Sequence, residues 1–408
     1  MARYAHYVPS FAILLDGNPL PPEIRSAITS VTWQDGLEGA DRVEVAMANP
    51  ALRLLDHPLF APEREFRLSV GYAPDPLEEV FVGEITGMEP TFPSGGMPTL
   101  RLTAQDYLNR LTKGAKDRAF RLSIPTIGNF TLPDPVVAAL VAGIDGLLPA
   151  LDPVGGALAT ILALGSYLAF PQFSQLGIRK QVSESDFSLL SKLSKENGWE
   201  MYIDHTAEPK GHVLRFQSLL GNFEPSLRLA WGSSLMDFTP RLTTIGDVFG
   251  VSARVWVDSM KTEFVIAVSW DYDRAAVNLM VVPSVAGGID VETLLGSDAK
   301  GKTLEVKPTG FANAAYKMLA EWLPRLNNRL TGTGSAVGDP NIKASRVIQL
   351  DGLGGTFSGL YRITSATHTL DASGYKTSFN ARKEVWFTGP PLPAKTGPIA
   401  RLSGAFSV

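Results

Sequence analysis

One short segment has the spacing of a nucleotide-binding loop. Gly296–Thr303 reads GSDAKGKT, in which a glycine is followed by four residues and then by Gly-Lys-Thr. In a P-loop, the backbone N–H groups of such a segment wrap phosphates, and a buried strand precedes it while a helix follows it. The preceding GGIDVETLL is partly polar, and Pro308 and Gly310 would break a following helix. We therefore predict a surface loop here, with a P-loop nucleotide site as an alternative.

The remaining residues that could do chemistry form no local cluster. Five histidines are scattered at His6, His57, His205, His212 and His368, without the spacing of a zinc motif, so each is expected to be a surface or a hydrogen-bonded core residue. The sequence has no G-x-S-x-G nucleophile motif. Its 41 acidic residues could supply the carboxylate pair of a cell-wall hydrolase, although no local pattern indicates one. We predict a protein that is not an enzyme and has no cofactor and no metal.

Composition narrows the class of protein. The chain has 408 residues, 45% of them hydrophobic, which is enough for two or three globular domains. A formal net charge of -4 argues against a dedicated nucleic-acid binder, because such proteins neutralise phosphates with basic residues. Cysteine is absent, so disulfides and thiolate catalysis are excluded. The N-terminus has only the short apolar run FAILL and no secretion signal, which predicts a cytoplasmic start.

Strand-like alternation dominates both ends of the chain. Apolar and polar residues alternate around residues 43–47, 66–72 and 100–104, and again at 264–270 and 375–381. A period of two with one apolar face is typical of half-buried antiparallel strands. Asp35-Gly36 and the segments at 73–76 and 93–96 have turn composition. Each end of the chain is therefore predicted to form a small barrel or sandwich.

The middle of the chain is different. Residues 120–175 are strongly apolar, and Val154–Phe170 is 17 residues without a charge. With Pro149 and Pro153 at a turn, this segment predicts a hairpin of apolar helices, either buried or in a subunit interface; a membrane-active element and a disordered plug are alternatives. The candidate interface residues are Val154, Leu158, Ile161, Leu164, Tyr167 and Phe170. A second helix follows, with Ser183 as its predicted cap and Gly198 as its stop.

An internal similarity links the two ends. FVGEIT at 81–86 opens a predicted hairpin that returns through TLRLTAQD, and FSGLYRIT at 357–364 opens another that returns through YKTSFNAR. Two related β-domains on either side of a helical middle would explain the similarity, and chance resemblance between strands is the alternative.

Three stretches, in this order, resemble the phage late control protein D family, which includes the baseplate hub of contractile tails and the hub portion of VgrG. They are VFVGEITGMEPTFPSGGMPTLRLTAQDYLNRL, QVSESDFSLLSKLSKENGWEMYIDH and GGTFSGLYRITSATHTLDASGYKTSFNARK. The resemblance spans about residues 25 to 385. Its motif residues are Phe81, Gly83, Ile85, Gln181, Ser183, Asp186, Phe187, Gly198, Gly359, Tyr361, His368, Gly374, Tyr375 and Thr377.

The resemblance implies an α+β, mainly β fold with two related antiparallel β-barrel domains and an α+β middle domain. The expected domains are 1–118, 119–235 with an apolar helical insertion at 130–170, 236–386 with a helix at 309–323, and a Pro/Gly-rich tail at 387–408. It also implies a homotrimer whose barrels form a pseudo-six-fold ring. That ring would join a hexameric tail tube to a trimeric spike in a phage tail or injection-system particle.

The sequence departs from the family pattern in two places. VgrG-type chains continue into a further barrel and a needle, whereas this sequence has 22 residues after Trp386. The resemblance therefore implies a separate spike polypeptide, with the Pro-rich tail as a candidate tether. The apolar 120–175 segment is the second departure, and we predict that it packs inside the trimer or contacts the spike or cargo.

Overall fold

The computed structural model describes residues 8–124, 128–151, 179–218, 224–243, 250–257, 262–271, 276–284, 305–306, 322, 324 and 327–384. The described part is mainly β-structure, arranged in four sheets whose strands are largely antiparallel, with a few helices. The predicted α+β, mainly β fold class is thereby confirmed. No helix among these residues has the length and apolar character needed to cross a bilayer.

The N-terminal strands form the first module. It consists of β3 (Ile28–Gly36), β4 (Arg42–Ala48), β5 (Glu65–Ala73), β6 (Glu78–Thr91) and β7 (Thr99–Gln105). Before it lie β1 (Val8–Leu15), β2 (Asn18–Pro19) and α1 (Pro22–Ala27), and a 3-10 turn at Pro58–Phe60 interrupts it. The alternating residues of β4, such as Val43, Val45 and Met47, are buried in one apolar core, so the predicted period-two pattern is confirmed here.

Smaller sheets and two helices form the middle unit. It begins with a 3-10 turn at Tyr107–Thr112 and contains β8 (Lys116–Ile124), β9 (Gly128–Thr131), α2 (Asp134–Ile144), β10 (Leu148–Leu151), β11 (Arg179–Glu184), α3 (Asp186–Asn197), β12 (Trp199–Ile203) and β13 (Val213–Ser218). The apolar faces of α2 and α3 pack with β12 and β13 in a second core. Val82 of the first module belongs to this core, so the middle unit is anchored on β6.

The C-terminal strands form the second module. It consists of β15 (Leu235–Leu242), β20 (Leu330–Val337), β21 (Val347–Asp351), β22 (Gly359–Asp371) and β23 (Gly374–Arg382), with β14 (Pro225–Ala230) beside β21 and α4 (Gly354–Phe357) before β22. Between β15 and β20 lies a separate four-stranded sheet of β16 (Gly250–Val257), β17 (Thr262–Asp271), β18 (Ala276–Ser284) and β19 (Glu305–Val306). One face of β23 is buried, as predicted, and it carries Tyr375, Thr377, Phe379 and Ala381.

The two modules share one sheet. The strand order is β15-β20-β23-β22-β3-β4-β7-β6-β5-β1-β2, with β14 and β21 joined at β22. β22 of the second module pairs antiparallel with β3 of the first, so backbone hydrogen bonds cross directly from one module to the other. None of the pairings among the described residues joins β15 to β2 at the two ends of this order.

Several local expectations differ from the structure. Asp35-Gly36, predicted as a turn, ends β3 instead, and the turn follows it. Ser185 rather than Ser183 caps α3, since its hydroxyl accepts a hydrogen bond from the Ser188 N–H at 3.2 Å. Gly198 ends α3 with a left-handed φ of 64°, as predicted. The first part of the predicted apolar hairpin is the helix α2, but Leu148–Leu151 is a strand that pairs with β13.

Other predictions lie outside the described residues. These are the nucleotide-loop segment at 296–303, the tail at 387–408, and the six candidate interface residues between Val154 and Phe170. Within the predicted helix at 309–323, only Trp322 is described, and its side chain is buried.

Gly83 on β6 lies against the backbone of β7, so a side chain should not fit there. A Cβ atom at Gly83 would lie 2.2 Å from the Gln105 carbonyl oxygen. We expect Gly83→Ala to lower the free energy of unfolding by about 1–3 kcal/mol, the usual cost of overpacking. Urea denaturation measures this.

Gly87→Ser is the matched control on the same strand, because the nearest atom to a Cβ there is 4.0 Å away. If both variants unfold at the same urea concentration, the close approach of β6 to β7 is not tight in solution.

Candidate functional site: the joint between the two sheet modules

The two modules repeat one arrangement of strands. In the first module the order in space is β3-β4-β7-β6-β5, and in the second it is β15-β20-β23-β22-β21. When the five strands of each module are numbered along the chain, their order in space is 1-2-5-4-3 in both modules. The shared order supports the internal similarity that the sequence indicates.

The repeat extends to the hydrogen-bond register. Ile85 of β6 lies opposite Ala104 of β7, and Ile363 of β22 lies opposite Ala381 of β23. After each isoleucine the register shifts by one residue, at a threonine whose hydroxyl donates to a carbonyl of the partner strand. The Ile-Thr pair that the two sequence motifs share therefore marks the same β-bulge in both modules.

A strained residue is also duplicated. Glu63 has a φ of 67° and Ser345 a φ of 66°, values that non-glycine residues seldom adopt. The N–H of Glu63 donates to the Ile85 carbonyl, and the N–H of Ser345 donates to the Ile363 carbonyl, both at 2.9 Å. A shared left-handed residue at one position argues for duplication of the module rather than for chance similarity.

The joint between the modules is the pairing of β22 with β3. Ser365–Leu370 pairs with Val31–Gly36, and the rings of Trp33 and His368 stack across the two strands with centroids 4.3 Å apart. Trp33 is 1% exposed and His368 is fully buried. Stacking of two planar rings at the centre of the joint fixes the position of one module against the other.

His368 is held by hydrogen bonds on both ring nitrogens. Nε2 lies 2.9 Å from the Ile342 carbonyl, which can only accept, so Nε2 carries the proton. Nδ1 lies 2.9 Å from the Tyr375 hydroxyl and accepts from it or from Thr377. Burial lowers the pKa of His368 to about 3, so the ring is neutral at physiological pH.

A buried acidic cluster lies where the middle unit meets the first module. His205 Nε2 lies 3.2 Å from an oxygen of Asp41, and Asp106 accepts a hydrogen bond from the Asp41 backbone N–H at 3.1 Å. Burial raises the pKa of Asp41 to about 7 and raises the pKa of Asp106 well above its usual range, the charge of Asp41 adding to the second shift. Burial lowers the pKa of His205.

These three residues are spaced like metal ligands, but their hydrogen bonds fit a metal poorly. One potential ligand atom from each of Asp41, Asp106 and His205 lies within 4.8 Å of the other two. The Val82 N–H donates to His205 Nδ1 at 3.2 Å, so the neutral ring carries its proton on Nε2, the nitrogen beside Asp41. A metal on Nε2 would require the proton to move to Nδ1 and the Val82 hydrogen bond to break. We therefore derive no metal chemistry from the cluster.

A cavity of about 400 Å³ opens beside the cluster, between all three units. Asp35 lines it and accepts a hydrogen bond from the Ala344 N–H of the second module at 2.8 Å. Lys343 also lines it and pairs with Glu78 of β6 at 2.8 Å. Burial, and then the charge of Asp41, raise the pKa of Asp35 to about 7. Both contacts connect the first module to the second, so these residues position the two modules against each other.

A second buried network ties the middle unit to the second module. Arg362 and Glu384 are both fully buried and form a bidentate ion pair. Nε lies 2.6 Å from Oε1, and Nη2 lies 3.0 Å from Oε2. Arg382 of β23 pairs with Glu200 of β12 in the middle unit. Removing one partner of a buried pair is costly because it leaves an uncompensated charge. The network therefore resists separation of the two units.

The structure places the family-motif residues in three groups. The first group lies on β6, the second around the start and end of α3, and the third on β22 and β23. They are Phe81, Gly83 and Ile85; Gln181, Ser183, Asp186, Phe187 and Gly198; and Gly359, Tyr361, His368, Gly374, Tyr375 and Thr377.

The first and third groups lie in the two modules, whereas the second stays in the middle unit. Phe81 contacts His205, with ring centroids 5.3 Å apart, and Tyr375 packs in the core of the first module. Asp186 is fully buried and pairs with Lys116 and Arg118 of β8.

The sequence does not reveal the buried acidic residues Asp35, Asp41 and Asp106. The composition of Asp35-Gly36 predicts a turn, and Asp41 and Asp106 lie just outside strands, where aspartate is usually exposed. A weak signal was present: Asp106 directly follows the alternating strand β7, and its oxygen accepts from the N–H of Leu108 at 3.0 Å, the pattern of a helix cap.

No protein-family model and no curated protein matches the sequence, whereas solved structures match it along most of its length. A 43 kDa tail protein of prophage MuSo2 from Shewanella oneidensis has a TM-score of 0.59 at 12% identity, covering 93% of this chain and 99% of that one. A tail protein from Neisseria meningitidis MC58 has a TM-score of 0.57 at 11% identity, covering 94% and 98%.

A third structure is the E. coli c3393 protein, a component of the type VI secretion system similar to the T4 tail proteins gp27 and gp5. Its TM-score is 0.54 at 12% identity, covering 92% of this chain and 78% of that one. The chain therefore has the fold of phage tail proteins and of a type VI secretion component, and the resemblance found in the sequence is confirmed at the level of the fold.

Asp35 makes a specific pH prediction. Its pKa in the folded protein, about 7, lies above the value of 3.8 for an exposed aspartate, so the folded state binds a proton that the unfolded state has released. The stability that Asp35 contributes is therefore complete below pH 4 and is lost as the pH rises through 7. Asn binds no proton, so the stability of the native chain minus that of Asp35→Asn should fall by about 1.4 kcal/mol per pH unit between pH 5 and 6, and less steeply as the pH approaches 7.

Urea denaturation at several pH values measures this difference, in which the opposing contribution of His368 cancels. A pH-independent difference for Asp35→Asn would mean that Asp35 is ionised in the folded protein.

Proposed function

We propose that this chain is a structural hub that joins a hexameric tail tube to a trimeric spike in a contractile phage tail or a related injection system. In this role three copies form a ring, and each copy contributes its two modules. Six similar modules face the tube, while three identical chains face the spike. The protein acts by matching symmetries and transmitting force, without catalysis.

The duplicated module is the observation that carries this proposal. A trimer of chains with unrelated halves would present three-fold symmetry on every surface. Because both modules share strand order, bulge position and the left-handed residue, three chains present six nearly equivalent units. The fold shared with phage tail proteins of similar length supports the same role.

The joint supports a mechanical function. Force that reaches one module passes to the other through the backbone hydrogen bonds of β22 and β3 and through the stacked Trp33 and His368. The middle unit is held to both modules by buried polar contacts, a hydrogen bond between Asp41 and His205 on one side and an ion pair between Glu200 and Arg382 on the other. Such connections suit a stiff body that moves as one piece.

Partners and location follow from the role. The hub would assemble as a homotrimer in the bacterial cytoplasm and then lie in the baseplate of the particle, in contact with the tube protein, a separate spike protein and other baseplate proteins. The Pro/Gly-rich segment at 387–408 is the proposed tether to the spike. Deleting it should leave the hub trimer intact and abolish co-purification with the spike, and unchanged co-purification would argue against a tether.

The oligomeric mass is the first test. Light scattering coupled to size exclusion should give three times the chain mass of 44.0 kDa, and electron micrographs should show a hollow three-fold ring. The ring should bind the end of a purified tail tube. A stable monomer at micromolar concentration, in the presence of tube and spike, would end the proposal.

The apolar segment gives a second test. We propose that Val154–Phe170 packs in the interior of the trimer, because so much exposed apolar surface would cause aggregation. Replacing Val154, Leu158, Ile161, Leu164, Tyr167 and Phe170 with serine should convert the trimer to a folded monomer, as measured by light scattering and circular dichroism.

The buried residues of α2, such as Val137 and Val141, are left intact in this variant because they belong to the core of the middle unit. An unchanged trimer would show that the apolar segment is not needed for assembly, and leakage from liposomes with the unmodified protein would favour the membrane-active alternative.

A further inference from the structure

We propose that the open edge of β6 in one copy pairs with the open edge of β15 in a second copy, in the register in which β22 pairs with β3 inside the chain. This interface rests on the proposed homotrimer and defines how its copies meet. Among the described residues, β6 beyond Ile85 pairs only with β7, and β15 pairs only with β20. Each edge has a duplicate that is already paired, since β6 corresponds to β22 and β15 corresponds to β3.

The correspondence between β15 and β3 holds residue by residue. β3 has a register shift against β4 between Ile28 and Ser30, and β15 has the same shift against β20 between Leu235 and Asp237. The two modules can be aligned at these shifts and at the Ile-Thr bulges. This alignment gives each residue of the internal β22–β3 joint one counterpart in the proposed β6–β15 pairing. Within the chain, Thr367 lies opposite Gln34. The corresponding pair between copies is Glu89 and Arg241.

The side chains on β6 are more exposed than their counterparts on β22. On β22, three alternating residues of the stretch that pairs with β3 are buried: Ala366, His368 and Leu370. Their counterparts on β6 are exposed: Met88 at 41%, Pro90, and Phe92 at 60% just beyond the strand. Apolar side chains at positions that are buried in the duplicate indicate a surface that is covered in the assembly.

The opposite edge carries a matching row. The residues of β3 that face the joint are Val31, Trp33 and Asp35, and their counterparts on β15 are Phe238, Pro240 and Leu242. Leu242 is 49% exposed. In the register taken from β22 and β3, Met88 lies opposite Leu242 and Phe92 lies opposite Phe238. Apolar residues therefore face apolar residues on one face of the proposed β6–β15 pair.

The other side of the pairing is polar and complementary in charge. Glu89 lies opposite Arg241, and Thr91 opposite Thr239. Arg241 is exposed, and none of the ion pairs between described residues includes it; Glu89 makes only a long contact of 3.9 Å with Arg101. Directly opposed residues of unlike charge stabilise an antiparallel pair. A shift of the register by one residue would set Glu89 against apolar neighbours, so the pattern selects this alignment.

Prolines limit what else can pair with these edges. The Thr243 N–H donates to the carbonyl of Arg329, the residue just before β20, so by strand alternation the ring nitrogen of Pro240 faces the open edge. Across the internal joint, the Leu37 N–H donates to the Thr364 carbonyl, which fixes the residues of β22 whose backbone groups face β3. When this alternation is transferred from β22 to β6, the ring nitrogen of Pro90 faces the open edge of β6. Pro90 meets Pro240, so this rung has no N–H donor. Side chains therefore hold the interface more than backbone hydrogen bonds do, and unrelated strands are discouraged from adding.

Cysteine cross-linking tests the register directly, because the chain has no native cysteine. Glu89 and Arg241 would form a non-hydrogen-bonded antiparallel pair, whose Cα atoms lie about 4.5 Å apart, within disulfide range. Glu89→Cys/Arg241→Cys, oxidised with glutathione disulfide, should form covalent chains that end at three copies on a non-reducing gel. Both positions are exposed, so folding should be unaffected.

Two matched variants accompany this one. Thr367→Cys/Gln34→Cys places the same pair in the internal joint and should form a disulfide within one chain, without a change in mass. Glu89→Cys/Thr239→Cys offsets the pair by two residues, at a distance of about 7–8 Å, and should cross-link at least five-fold less.

Glu89→Arg and Arg241→Glu should each weaken assembly about two- to five-fold per interface, and the double variant should restore it. An unmodified protein that is a trimer, but whose Glu89→Cys/Arg241→Cys variant cross-links no better than the offset pair, would overturn this interface and leave the proposed hub standing. A monomeric unmodified protein would remove both.

Discussion

The pairing of β22 with β3 is the constraint on which the rest of the structure depends. Without it the two β-modules would have no continuous sheet, and only side-chain contacts and the middle unit would hold them together. With it, hydrogen bonds run unbroken from β15 through β22 and β3 to β2. Leu370 and Tyr375 of the second module are then part of the core of the first. Separating the modules would break backbone hydrogen bonds and expose apolar surface at the same time, so the joint is rigid for two independent reasons.

Buried charged and polar groups concentrate where the three units meet, and their placement is costly unless each is paired. Asp41, Asp106 and His205 share hydrogen bonds with one another and with strand N–H groups. Arg362 and Glu384 satisfy each other. An apolar junction would tolerate sliding, since one methyl contact resembles another, whereas these bonds exist in one arrangement only. The polar groups thus define the relative position of the units, while the apolar cores supply most of the stability.

The strands of both modules could be predicted from the sequence because each carries its own period-two pattern, as in Val43, Val45 and Met47. The Ile-Thr similarity could be detected because it fixes a bulge, which is a local feature. The joint could not be predicted. Trp33 and His368 are 335 residues apart in the sequence, and nothing local shows that their rings stack. The sequence predicts a turn at Asp35 for the same reason: its buried partner, the Ala344 N–H, belongs to the other module.

The two modules have kept a backbone pattern while their edge residues have diverged, and the difference follows from what each edge meets. The edge of β22 is paired within the chain, so it can hold a buried histidine whose two ring nitrogens are both hydrogen-bonded in the folded chain. In the proposed ring, the edge of β6 stays exposed until a second copy binds, which suits Glu89 and Pro90 beside single exposed apolar residues such as Phe92. Such a ring needs two joints of similar geometry, one formed at folding and the proposed one formed at assembly. The chemistry of the two edges matches that division.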